Sequence, residues 1–181
     1  MTVRRTFVAY VEDKVGVLNR VVSLFRRRGY NIESLTVGQT ERDGVSRVTV
    51  VLRADDDTAK RMVANLYKLV NVLRVDELHE AAVVRELALI KVGVGQAERG
   101  QVLQLCDVFR ARPVDISPDA IVIEISGAQD KIDGLVDVLR PYGIQEMVRT
   151  GAIAMTRGAT PASKEEDQWL PSTTIATQTS A

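Results

Sequence analysis

The chain has 181 residues, 45% of them apolar and 27% charged, and its 24 Lys and Arg balance 24 Asp and Glu. A formal net charge of zero removes the broad attraction expected of a nucleic-acid or anionic-membrane binder, and no apolar run approaches the ~18 residues that span a bilayer. A single cysteine, Cys106, and a single histidine, His79, exclude an internal disulfide and any two-histidine metal or acid–base pair, as suits a reducing cytoplasm or an equivalent reducing compartment.

In chain order, residues 3–11 are β-branched and aromatic and partly alternate, which predicts a strand. Glu12 to Gly16 form a turn, with Asp13 placed to cap a helix. In that helix Val17, Leu18, Val21, Val22, Leu24 and Phe25 share one face. It ends at Arg26-Arg27-Arg28-Gly29, where cations oppose the negative end of the helix dipole and glycine permits the stop. Strands are expected at 31–39 and 45–52, joined by a hairpin at Asp43-Gly44. Asp55-Asp56-Asp57 opens a second helix with Ala59, Met62, Val63, Leu66, Tyr67 and Val70 at helical spacing. Carboxylates at a helix start favour the dipole and need no metal. A strand at 73–78 completes a β-α-β-β-α-β order, the ferredoxin-like pattern.

The second half repeats this order at a spacing of roughly 80 residues. Strands are expected at 86–94, 114–117, 120–126 and 144–149, with 151–155 as an addition. Helices fall at 98–109, with Val102, Leu105, Cys106 and Phe109 inward, and at 128–139, burying Ile132, Leu135, Val136 and Leu139. The expected class is α+β, two ferredoxin-like βαββαβ domains at 3–79 and 84–157, followed by a disordered tail at 158–181. Six of the last eleven residues are Ser or Thr, so the tail cannot bury enough apolar surface to offset its ordering entropy. Trp169 and Leu170 are its only sizeable apolar pair.

Chemistry-bearing candidates are few. Cys106 falls on the apolar side of a helix and reads as a buried, inert thiol. His79 reads as solvated at a strand end. Gly93-Val94-Gly95-Gln96-Ala97-Glu98 fails the dinucleotide pattern because its third glycine position holds Glu98, so these glycines mark a strand-to-helix turn. Arg26-Arg27-Arg28 lacks the stacking aromatics that a sheet-based RNA reader carries on its central strands. The most functional-looking segment is the turn Asp13 to Leu18, read as opposite Asn31-Ile32-Glu33. There Gly16 lets a ligand approach the backbone and helix-start amides attract a carboxylate. Asp13 and Asn31 offer acceptors to an ammonium, and Val15, Val17 and Ile32 an apolar wall. This constellation suits a small α-amino acid; a tight capped turn with no ligand is the competing reading.

The run Phe25-Arg26-Arg27-Arg28-Gly29-Tyr30-Asn31-Ile32-Glu33-Ser34-Leu35-Thr36-Val37-Gly38 resembles the signature of the small, regulatory subunit of acetolactate synthase (acetohydroxyacid synthase). Upstream, Glu12 to Leu18 resembles the amino-acid-binding turn of ACT domains. Further resemblance lies in Lys68 to Val75, Arg85 to Val92 and Ser117-Pro118, covering about residues 3 to 158. The resemblance implies an N-terminal ACT domain, a C-terminal ACT-like domain and a homodimer whose ACT domains pair and shape effector sites between them. It implies no catalysis by this chain and no cofactor in it. The large catalytic subunit would hold thiamine diphosphate, Mg²⁺ and FAD, while the small subunit activates it and confers feedback inhibition by valine or another branched-chain amino acid. The effector residues so implied are Asp13, Val15, Gly16, Val17, Leu18, Asn31 and Ile32. Two positions depart from relatives: Asp13 stands where some have Asn and cannot donate to a ligand carboxylate, and Val15 where many have Pro leaves the turn less rigid.

Deleting residues 158–181 removes no element of either repeat, so activation and effector response of the truncated chain should equal those of the full chain in a reconstitution assay. Loss of partner binding would instead make Trp169 and Leu170 a docking motif.

Overall fold

The structure, a computed structural model, describes residues 1–78 and 82–158; His79, Trp169 and Leu170 lie outside them. The N-terminal half runs β1 (Val3–Glu12), α1 (Val17–Arg28), β2 (Ile32–Gln39), β3 (Val45–Ala54), α2 (Asp56–Leu66) and β4 (Val72–Leu78). The C-terminal half runs β5 (Val83–Gly93), α3 (Gln96–Phe109), β6 (Arg112–Ile116), β7 (Ala120–Gly127), α4 (Gln129–Leu139), β8 (Ile144–Arg149) and β9 (Ile153–Met155). Each half forms an antiparallel sheet, in the orders β2-β3-β1-β4 and β6-β7-β5-β8. The two-domain ferredoxin-like expectation holds in both halves.

Alternation along the strands sets the layers. In the first sheet Phe7, Ala9, Val11, Val48, Val50 and Leu52 face the helices and pack with Val17, Val21, Phe25, Met62 and Leu66. In the second, Ala88, Ile90, Val92, Ile121, Ile123 and Ile125 pack with Val102, Cys106, Ile132, Leu135 and Leu139. Cys106 is buried as expected, and burial pushes its thiol pKa up, away from nucleophilic character. Asp55 caps α2, its carboxylate accepting from the Thr58 amide at 2.7 Å.

Both faces of the first sheet are covered. Its helix-free side carries Val8 and Leu78, which meet Ala154, Val84 and Ala82. That cover is the ribbon made where the first residues of β5 pair with β9, Val83 opposite Met155 and Arg85 opposite Ile153. Arg47 pins the edge of the ribbon: it donates to the Ala154 carbonyl and to the Tyr10 hydroxyl, the latter at 2.7 Å.

Several sequence expectations are corrected. Asp13 does not cap α1: Gly16 occupies the N-cap with φ 83° and no side chain caps the helix, while the Asp13 amide donates to the Gly44 carbonyl at 2.8 Å. Leu18 and Val22 share an apolar face with the buried residues by periodicity, yet both are exposed, because no element of the protomer covers that side of α1. Helix α2 stops at Leu66, which leaves Tyr67 and Val70 outside it and exposed. Strand β6 begins at Arg112 and includes Pro113, a residue tolerated on an edge strand.

Candidate functional site

The turn after β1 is held from three sides. The Glu12 amide donates to the Asn71 carbonyl at 2.9 Å, Asp13 to Gly44, and Lys14 back to the Glu12 carbonyl at 2.9 Å. The Asn71 side chain donates to the Glu12 carboxylate and accepts from Arg20 of α1. Asn71 is buried, so it ties the end of β1, the first turns of α1 and the start of β4 into one unit. The hydrogen bond from Asn71, aided by Lys14, holds the Glu12 carboxylate below its ordinary pKa of 4.5. Sequence reasoning met Asn71 only inside the run Lys68 to Val75 and gave it no role; its partners are 59 and 51 residues away.

Above this unit the helix start is open. The first intrahelical bond is from the Arg20 amide to the Gly16 carbonyl, and the Val17 amide folds back to Lys14. Helix geometry therefore leaves the Leu18 and Asn19 amides without an intrahelical acceptor, and no side chain fills that role. Such a terminus favours a carboxylate. The φ of Gly16 lies where glycine alone is unstrained, and nothing lies within 4 Å of where its Cβ would stand. Asp13 and Gly16 are exposed, and Val15 is fully so.

Two parts of the expected constellation differ. Val17 is 4% exposed and belongs to the core, so it supports the turn from below, while Leu18, 41% exposed, offers the apolar wall. Asn31 and Ile32 do not face the turn within one protomer. Ile32 pairs with Leu52, which pairs with Arg5, whereas the turn follows Glu12, which pairs with Val45. The two half-sites are thus separated by seven residues of β1, about 23 Å at the strand rise of ~3.3 Å per residue. The antiparallel return of α1 explains this: a helix that starts at one end of the sheet delivers β2 to the other.

Four strands are unpaired on their outer side among the described residues, β2 and β4 in the first sheet and β6 and β8 in the second. β2 has eight residues and no proline. β6 has five, with Pro113 and a register shift beside it, which blunts an edge against pairing. β2, with eight residues, is the longest of these edges, and exposed Val37, Leu18 and Val22 lie on the helix side of its sheet. A separate cleft of about 480 Å³ opens on the other face of the sheet, between Thr36, Gly38 and Arg47 and the ribbon residues Val83, Ile153 and Met155. It lies on the face of the sheet opposite the helices.

Comparisons with known proteins cover both halves. The family described as "AHAS small subunit-like ACT domain" matches residues 7–74, and that described as "Small subunit of acetolactate synthase" matches 85–158. A probable acetolactate synthase small subunit of Archaeoglobus fulgidus is 48% identical over 155 residues, 86% of this chain and 98% of that one. The acetolactate synthase small subunit of Mycolicibacterium smegmatis is 44% identical over 158 residues, 87% and 93% of the respective chains. The crystal structure of the small subunit from Thermotoga maritima superposes with a TM-score of 0.82 at 37% identity, covering 87% of this chain and 99% of that one.

Replacing Asn71 by Ala removes the side chain that joins Glu12 to Arg20 and should lower stability, read by urea denaturation. Because the folded-state pKa of Glu12 is lowered, its contribution is present above the unfolded value and is lost as pH falls through the folded one. The stability difference between wild type and Glu12→Gln should accordingly shrink in acid; a difference that grows there would contradict the assignment.

Proposed function

The chain belongs to the family of acetolactate synthase small subunits, and on that premise we propose that it is a non-catalytic regulatory subunit that activates the catalytic subunit and inhibits it when valine binds. Thiamine diphosphate, Mg²⁺ and FAD then belong to the catalytic partner. The observation that carries the effector reading is the open start of α1 beside Gly16, poised at one end of a sheet whose pairing edge is free.

Two copies joined by antiparallel pairing of their β2 edges complete the site. A two-fold axis near the middle of β2 sets Ile32 of one protomer beside Gln39 of the other. Gln39 pairs with Ser46, at the sheet end that also holds Glu12, Asp13 and Gly16. Asn31 and Ile32 of one copy thereby reach the turn of the other, and the symmetry produces two equivalent sites. The same pairing buries Leu18, Val22 and Val37, which explains apolar residues that the protomer leaves exposed. Valine would present its carboxylate to the Leu18 and Asn19 amides, its ammonium to the Asp13 carboxylate and the Asn31 side-chain oxygen, and its isopropyl group to Val15, Leu18 and Ile32. Inhibition follows when the liganded dimer supports the catalytic subunit less well, and a coupling of about 1–3 kcal/mol, or ~5–150-fold in affinity, is sufficient.

Sedimentation should show a dimer for the wild type and a shift toward monomer for Leu18→Ser combined with Val37→Ser; a dimer unaffected by both would place the interface elsewhere. Calorimetry with valine, leucine and isoleucine tests the site. Gly16→Asp should abolish valine binding, while Gly16→Ala, which carries only the left-handed strain of about 1–2 kcal/mol, should retain part of it. Asn31→Ala should weaken valine by about 1–3 kcal/mol. Undiminished binding by Gly16→Asp would move the site, and no binding by the wild type would make the chain an adaptor that stabilises the catalytic subunit without sensing.

A further inference from the structure

We propose that the first residues of β2 transmit effector occupancy to the C-terminal half through a charged and closely packed seam built from Glu33, Ser34, Arg4, Glu86, Arg149 and Gly151. The proposal deepens the effector reading given above and rests on it.

Asn31 and Ile32, the effector residues contributed across the two-fold axis, lead directly into Glu33 and Ser34. Glu33 accepts from Arg53 at 2.9 Å and lies 3.4 Å from Arg4 of β1. Arg4 also lies 3.8 Å from Glu86 of β5. Glu86 is 8% exposed and accepts from Arg149 Nε of β8 at 2.7 Å, and Arg149 Nη1 donates to Asp133 of α4 at 2.6 Å. One chain of ion pairs therefore runs from the start of β2 to a core helix of the other half. Exposed ion pairs would mean little. A buried carboxylate is different, because taking away a cation leaves its charge uncompensated.

A second link runs beside the first. Ser34 Oγ accepts from the Ala152 amide at 2.8 Å. Gly151 packs so closely that a Cβ there would stand 2.8 Å from Ser34 Oγ and 3.0 Å from the Leu35 carbonyl. The Leu35 oxygen is backbone and cannot yield unless β2 moves. The Thr36 hydroxyl is buried beside the same contact without a hydrogen-bond partner in the protein, while the charged groups Arg4, Glu33, Glu86 and Arg149 line a polar cleft of about 400 Å³ that reaches Gly151. Residues 150–152 also connect β8 to β9, and the Thr150 amide donates to the Leu87 carbonyl at 2.9 Å. A shift at the start of β2 must therefore move the C-terminal half with it or break the seam, and close-packed contacts of this kind rearrange between discrete states.

The test uses the full-length chain and its catalytic subunit. Valine affinity is measured by calorimetry on the free small subunit and on the reconstituted complex, for wild type, Glu86→Gln and Ser34→Ala. In the wild type the two affinities should differ by a coupling factor of ~5–150-fold. In each variant that ratio should fall toward one while the affinity of the free subunit stays at the wild-type value. A seam that only held the halves together would lower stability and leave the ratio alone. Hydrogen exchange of the Ala152 amide in unmodified protein supplies a second readout, and valine should change it. Wild-type ratios in both variants, or an Ala152 amide indifferent to valine, overturn the seam alone. A wild type that binds no valine overturns the effector reading and the seam with it.

Discussion

A ferredoxin-like sheet covers one face with its own helices and leaves the other to be covered by something else. Here the first sheet places Val8 and Leu78 on its helix-free face, and one strand of the second half provides the cover. Strand β5 begins as the ribbon over that face, Val83 to Arg85 paired with β9. It then continues as a central strand of the second sheet, Glu86 to Gly93 paired with β7. The polypeptide changes from cover to core at Glu86, and there the carboxylate needs Arg149 and Arg4 because it is withdrawn from water. The position of the two halves, the charged seam and the tight packing at Gly151 all depend on this shared strand.

The same repeat produces different surfaces in its two copies. Each half has two outer edge strands, and β2 and β6 occupy equivalent places in the repeat. In the second half, Pro113 and the irregular register of β6 discourage pairing. In the first, β2 is longer and carries no proline, with its register shift confined to its start between Ile32 and Ser34, and Leu18 and Val22 of α1 are exposed. An edge with unpaired backbone groups is a liability unless it is blunted or paired. Pro113 of β6 has no counterpart in β2, so the two copies of the repeat have diverged at these edges.

Much of this was legible from local chemistry. Asp55 caps α2 and Gly29 ends α1 as their residue types and positions indicate; Ile132, Leu135, Val136 and Leu139 are the buried face of α4. Periodicity failed where it had to choose between two kinds of burial. Leu18 and Val22 sit at core spacing and are exposed in the protomer, because an apolar stripe reports that a face avoids water and not which neighbour covers it. The role of Asn71 was invisible for another reason: a polar residue between two elements carries no pattern, and that role appears only when Glu12 and Arg20 are brought to Asn71.

The amino-acid sequence by itself determined the element order and the two helix-facing cores, because each depends on spacing and residue type within a dozen neighbours, and the repeat is that order occurring twice. It also offered Asn31 and Ile32 as candidates for an effector site. Only the tertiary structure decided that they stand at the opposite end of the sheet from the Asp13–Leu18 turn, and that Glu33 and Ser34 beside them grip the C-terminal half. Strand register and the path of β5 are set by contacts between residues far apart in the chain, and no local pattern encodes which end of a strand a distant turn will meet.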